Sequence, residues 1–262
     1  MITTGPRSCR LAADLRISIL FCTRLALVHP VPIRGDDVAR ASWALPIAGA
    51  LVGGIGAFVY GAGYRLGLPA LPAAALALAA TVAITGCLHE DGLADTVDGF
   101  GGGKDREHKL AIMRDSRLGA YGACALAISF LLRWSALAAI AHPLSVALAL
   151  VAAHASARAA LPAFMRFVRP ARSDGLSAQA GRPPGGSTAI AALLGLIALL
   201  LGLGPLGAIV GLVLLASAGI LMAWWSMREI AGQTGDVVGA LEQVNEILVL
   251  LVAAVLLRSQ SA

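Results

Sequence analysis

Apolar and polar residues in this chain are sorted into long blocks rather than interleaved. Runs of Ala, Leu, Val, Ile and Gly recur at about 43–64, 69–88, 119–141, 143–162, 188–203, 205–225 and 237–257. Each is close to the roughly 20 residues that carry a helix across a hydrocarbon layer. The fifth is short for a crossing and fits if it tilts or is helped by its flank. Two kinds of connection alternate between the runs. Three are brief and nearly uncharged: "RLGLP" from Arg65, "HP" at His142 and "LGPLG" around Pro205. Gly and Pro act there as helix breakers. The others are longer and hold most of the charge. The pattern predicts an all-α, polytopic membrane protein of about seven transmembrane helices. One more helix, over Ser8–Val28, is expected to be interfacial or partly buried. Its core, "ISILFCTRLALV", is interrupted by Arg24 and is followed by no prompt A-x-A site, so it stays on the protein.

Composition supports this class. Of 262 residues, 58% are hydrophobic and 13% charged, against about 25% charged in soluble domains, and mean hydropathy is +0.81. The net charge of +5 is spread over several loops without interleaved aromatics, which excludes a nucleic-acid partner. It reads instead as sidedness. Residues 1–42 carry six arginines, 89–118 five Lys or Arg, and 163–187 four arginines, with Arg228 beyond. An even number of spans separates these segments, so they share one face, which the positive-inside rule makes cytoplasmic. All fifteen carboxylates fall on that face, while Arg65 and Arg258 face outward. Cys9, Cys22, Cys87 and Cys124 have no CxxC or ligand spacing and read as small apolar fillers.

The most polar stretch, "HEDGLADTVDGFGGGKDREHKLAIMRDSRLG" from His89, carries the candidate chemistry. Asp91, Asp95 and Asp98 stand at i, i+4 and i+7, within about 60° of arc on a helix. Like charges so close repel, and desolvation near a membrane adds to the cost. A divalent cation removes both penalties, and Mg²⁺ binds through one or two carboxylates together with substrate phosphate. Glu90 points about 100° away from Asp91 and is left out of this ligand set. Gly101–Gly103 is read as a flexible turn. Lys104, Arg114 and Arg117 supply cations suited to polyphosphate. Asp115, flanked by two arginines, is a fourth metal ligand or simply their ion-pair partner. In "GQTGDVVGALEQVNE", Thr234 or Asp236 is placed to cap a helix. Arg158, costly in lipid, is expected to face a polar cavity, and Arg133 has no evident role.

These segments resemble the cobalamin synthase family, the adenosylcobinamide-GDP ribazoletransferases. The likeness rests on "HEDGLADTVDGFGGG" with "REHKLAIMRDSRLGAYG", on "FCTRL" at Phe21–Leu25 and on "GQTGDVVGALEQ" at 232–243, in the family's order. The chain departs from the pattern at Glu90, where a hydrophobic residue is usual, and in "LVHPVPIRGDD". The resemblance implies a Mg²⁺-dependent enzyme of the bacterial inner membrane that acts late in vitamin B12 assembly. It would join adenosylcobinamide-GDP to α-ribazole or its 5′-phosphate and release GMP. One integral membrane catalytic domain, 1–262, would then hold cytoplasmic active-site loops at 89–118, 163–187 and 226–245. Asp91, Asp95 and Asp98 would hold the metal. One of them, or Asp115, would handle the hydroxyl proton. Lys104, Arg114, Arg117, Arg158 and Asp236 would contact substrate. Other enzymes of the same pathway, or further copies of the chain, are candidate partners.

Two rival classes are weighed. A CDP-alcohol phosphotransferase requires D-G-x-x-A-R, but Asp95 stands where that Arg belongs and the triple glycine follows. An ion transporter requires acids within the spans or on both sides, and the pattern provides neither.

Overall fold

The computed structural model describes residues 7–26 and 35–257. Helices α1 (Arg7–Cys22) and α2 (Gly35–Ala41) lead through a 3-10 turn, Ser42–Ala44, into α3 (Leu45–Arg65). Then come α4 (Ala70–Thr85), α5 (Leu88–Gly102), α6 (Arg106–Ile112) and α7 (Ala120–Ile140). The chain continues as α8 (Pro143–Phe167), α9 (Leu176–Ala180), α10 (Gly185–Ile230) and α11 (Gly235–Leu257). The protein is an all-α polytopic membrane protein. Five helical segments are long and apolar enough to cross a bilayer, six if α4 and α5 count as one bent span.

The 46 residues of α10 form two limbs. Gly204 adopts φ +72° just before Pro205, and a Cβ on Gly211 would meet Leu199 Cδ2 at 3.1 Å. On one straight helix those two residues would stand about 18 Å apart, so the chain doubles back. The fifth and sixth apolar runs are the two limbs of this hairpin.

The second run behaves differently. Its helix stops at Thr85 after 16 residues, and Gly86 (φ +64°) and Cys87 (φ +60°) turn the backbone by 87° into α5. Continuous hydrophobicity through Leu88 hides this corner. What makes it is the segment after α1: Arg24 N–H donates to the Ile84 carbonyl at 2.7 Å. A Cβ on Gly86 would lie 2.2 Å from Arg24 Nε, so glycine there lets the Arg24 side chain lie against the corner. The N-terminal helix ends at Cys22, short of the expected Val28. Thr23 Oγ1 donates to the Ile19 carbonyl and accepts the Leu25 N–H. Leu27, Val28 and Arg258 lie outside the described residues.

The triple glycine is not a flexible turn. α5 runs through Gly102, and the Gly103 N–H caps it on the Gly99 carbonyl. A Cβ on Gly99 would come 2.5 Å from Met113 Cγ, and one on Gly101 3.0 Å from the Tyr121 ring. These glycines are contact surfaces for α6 and α7.

The brief turns meet at one end of the bundle, where Tyr60 Oη donates to the Ala141 carbonyl. An apolar core of Tyr60, Leu137, Ile140, Leu150, Leu199 and Leu250 fills that end. The charged connections gather at the other end. Arg106 donates to the carbonyls of Ile230 and Ala171, Ser187 Oγ to the Arg40 carbonyl, and Arg114 to Asp174. α8 packs deeply against α3, where a Cβ on Gly49 or Gly53 would lie 2.1 or 2.5 Å from the His154 or Leu150 carbonyl oxygen. Small residues let helices in lipid approach this closely. Gly53→Leu is therefore expected to destabilise the bundle by about 1–3 kcal/mol or more, read as a lower midpoint of thermal aggregation in detergent.

Candidate active site

The right-angle turn packs α5 against α7 and α11. Bare Gly92 and Gly239 let α5 and α11 touch: a Cβ on Gly92 would sit 2.8 Å from the Asp236 carbonyl and 3.2 Å from Gly239 Cα. This crossing brings Asp91 and Asp236 to one cavity of about 300 Å³, which His89 and Arg172 also line. Thr234 caps α11, its Oγ1 accepting the Val237 N–H at 3.3 Å and donating to Asp236 Oδ2 at 3.1 Å. The alternative cap, Asp236, faces the cavity, where Arg172 Nη2 approaches Asp236 Oδ2 to 3.6 Å.

Asp95 lies one turn beyond Asp91 and is half-buried. Burial and the like charges of Asp91, Asp236 and Asp98 push its carboxyl up to about 7. The acids thus form one repelling group, the setting in which a hard divalent cation is favourable. Asp98 points elsewhere. It is buried, and its two oxygens accept the backbone N–H groups of Gly119 (2.8 Å) and Gly122 (2.9 Å). These are orphan donors of the first turn of α7. A Cβ on Gly119 or Gly122 would strike the carboxylate at 2.4 Å, so those glycines exist to admit it. Asp91 and Asp236 face the cavity, and Asp95 follows one turn along α5.

The cations of the polar loop are not gathered at the cavity. Arg114 pairs with Asp174 at 2.6 Å. Arg117 pairs with Asp115 at 2.5 Å, and that contact holds the Asp115 carboxyl low, at about 2. Of the two readings of Asp115, this is the ion-pair partner. Lys104 is exposed, and its backbone N–H donates to His108 Nδ1. Among the described residues, Arg172, which the sequence did not single out, is the guanidinium that lines the cavity.

Arg158 is not in an open polar cavity. It is sealed within the bundle, 2.6 Å from Glu242 and 3.1 Å from His154. Arg133 bridges Glu90 and Glu246, at 3.1 Å each, and stacks on the Phe130 ring. His154 Nδ1 lies 3.0 Å from Glu246, and Arg158 Nη2 contacts His89 Nδ1 at 3.3 Å. Every one of these charged and histidine side chains is at least nine-tenths buried. The expectation that the spans carry no acids is thereby corrected: Glu242 and Glu246 lie inside the bundle on α11. His154, Glu242 and Glu246 bring donor atoms within 4.8 Å of one another, but Arg133 and Arg158 already occupy the place of a cation. The spacing from Glu242 to Glu246, one helical turn, was the available sign of this cluster.

The chain matches the model of the family described as cobalamin-5-phosphate synthase over residues 14–254. It is 61% identical over 242 residues to the adenosylcobinamide-GDP ribazoletransferase of Bradyrhizobium diazoefficiens, covering 92% of this chain and 93% of the relative. Relatives with the same name are 54% identical in Mesorhizobium japonicum (98% of each chain) and 45% identical in Azorhizobium caulinodans (94% and 96%). No solved structure matches. A polytopic helical membrane protein with an acidic site at one face is thus a transferase of cobalamin biosynthesis. The chain belongs to the cobalamin-5-phosphate synthase family.

Two variants separate architecture from chemistry. Arg133→Leu strands two buried carboxylates and is expected to cost about 3–5 kcal/mol, measured as loss of folded protein after detergent extraction. Asp98→Asn leaves one orphan N–H of α7 without its acceptor. It should cost about 1–2 kcal/mol of stability while divalent-cation affinity, by calorimetry, stays near the wild-type value.

Proposed function

We propose that the protein joins adenosylcobinamide-GDP to α-ribazole, or its 5′-phosphate, with Mg²⁺ and releases GMP. The observation that carries this reading is the convergence of Asp91 and Asp236 with Arg172 at one cavity, with Asp95 close enough along α5 to feel their charge. An acidic group beside the Arg172 guanidinium is suited to a magnesium-bound diphosphate rather than to a bare anion. The oxygen-only donor set fits Mg²⁺, and Asp91, Asp95 and Asp236 would hold it. When bound, the ion would neutralise the diphosphate charge and stabilise the departing phosphate oxygen.

The residues of this chain supply the rest. A ribose hydroxyl of the acceptor forms a new bond to the phosphorus that bears the cobinamide arm. The P–O–P bond breaks, and its electron pair leaves with GMP. The hydroxyl proton passes to a carboxylate of the same acidic group. Arg172 orients a phosphate oxygen, and the α5–α11 crossing holds the participants in line. The arginine-rich connections on this face support a site open to the cytoplasm from a bacterial inner membrane.

In purified protein, Asp91→Asn and Asp236→Asn are each expected to lower GMP release at least about 100-fold. Lys104→Ala and Arg117→Ala should stay near wild type. Chelation of divalent cations should stop turnover and added Mg²⁺ restore it. Undiminished turnover in Asp91→Asn would overturn the assignment.

A further inference from the structure

The cavity under Asp91 and Asp236 is lined by two chemical classes of side chain. Beside the ionisable groups just described stand Phe21 of α1, Leu45 of α3, and Leu161 and Met165 of α8. Phe21 is 37% exposed at the rim, while Leu45 and Leu161 are buried. An aromatic ring, a thioether and branched aliphatic groups make a surface for a flat apolar body. The nearby hydroxyl of Ser177 donates to Gln233 Oε1 at 2.6 Å and is already committed.

We propose that this cavity is the seat of the acceptor nucleoside, with its aromatic base against Phe21 and Met165 and its ribose toward Asp91 and Asp236. The inference rests on the reaction proposed above and adds which substrate fills the cavity. Size decides first. About 300 Å³ is at the small end of ligand sites. It suits a bicyclic base with a sugar and is far too small for a corrin macrocycle with its appended nucleotides. Chemistry decides second, because the guanosine of the donor is also a base on a sugar. Guanine carries amide and amino edges that cost free energy when buried against apolar groups without partners. The base of α-ribazole is a methylated benzimidazole with no such edges, and an apolar wall accepts it. The donor must then approach from the open mouth, its diphosphate reaching the acidic group while the corrin stays outside. Two residues of "FCTRL" thereby take separate roles. Phe21 forms the wall, and Arg24 sets the corner that aims α5.

The test uses the full-length chain in nanodiscs, with initial rates measured against each substrate in turn. Phe21→Ala should raise KM for α-ribazole about ten-fold and leave KM for adenosylcobinamide-GDP unchanged, and Phe21→Leu should recover most of the loss. Should Phe21→Ala fail to fold, Met165→Ala carries the same comparison from α8. A rise in KM for the donor alone, or no change in either, would overturn the proposal. Calorimetry with α-ribazole and no donor reads the cavity without requiring transfer. Binding that guanosine does not displace supports the assignment, and displacement by guanosine overturns it. A chain that binds α-ribazole yet releases no GMP would remove the proposed reaction and leave the cavity assignment standing.

Discussion

The geometry of this protein depends on a set of charges sealed inside the helix bundle. Arg133 from α7 and Arg158 from α8 hold Glu90 of α5 and Glu242 and Glu246 of α11, with His89 and His154 between them. Away from water none of these charges is tolerable alone, and each is acceptable only because the others are present. The set therefore acts as a unit that ties four helices in one arrangement. Its effect on α5 is specific. His89 and Glu90 are gripped from inside, so the next residue, Asp91, is turned outward to the cavity. A helix face is about 100° from one residue to the next, and fixing two neighbours fixes the third.

The polar stretch from His89 to Gly119 is, on this geometry, mostly architecture. Asp98 closes the first turn of α7, Gly99 and Gly101 make room for α6 and α7, and Arg114 ties two connections together. The proposed reacting surface is smaller than the motif. It draws Asp91 from α5, with Asp95 one turn on, and Asp236 and Arg172 from segments far along the chain.

Much of this was legible in the sequence, and the exceptions have physical causes. Hydropathy blocks and turn residues give the helices, and loop charge gives their common face. Helical spacing alone puts Asp91 and Asp95 on one side. The same spacing also included Asp98, because periodicity says which way a side chain points and not what stands opposite. The backbone donors of Gly119 and Gly122 come from another helix. Arg114 and Arg117 looked like phosphate ligands for a similar reason, since a guanidinium reads alike whether it meets a phosphate or Asp174 or Asp115. The corner at Gly86 and Cys87 was hidden by unbroken hydrophobicity on both sides. Arg133 and Glu90 were each puzzling alone and make sense as a pair.

The apolar core at the far end also has an electrical consequence. Ionisable groups placed among spanning helices invite a leak, because a file of them can hand protons or ions from one compartment to the other. Here the file is a cul-de-sac. Beyond Arg133, His154 and Glu246, the same helices present Leu137 and Ile140, Leu150 and Val146, and Leu250 and Ala253, all buried in one apolar cluster with Tyr60. That plug works as an insulator, so the membrane can stay energised around a protein with charges in its heart.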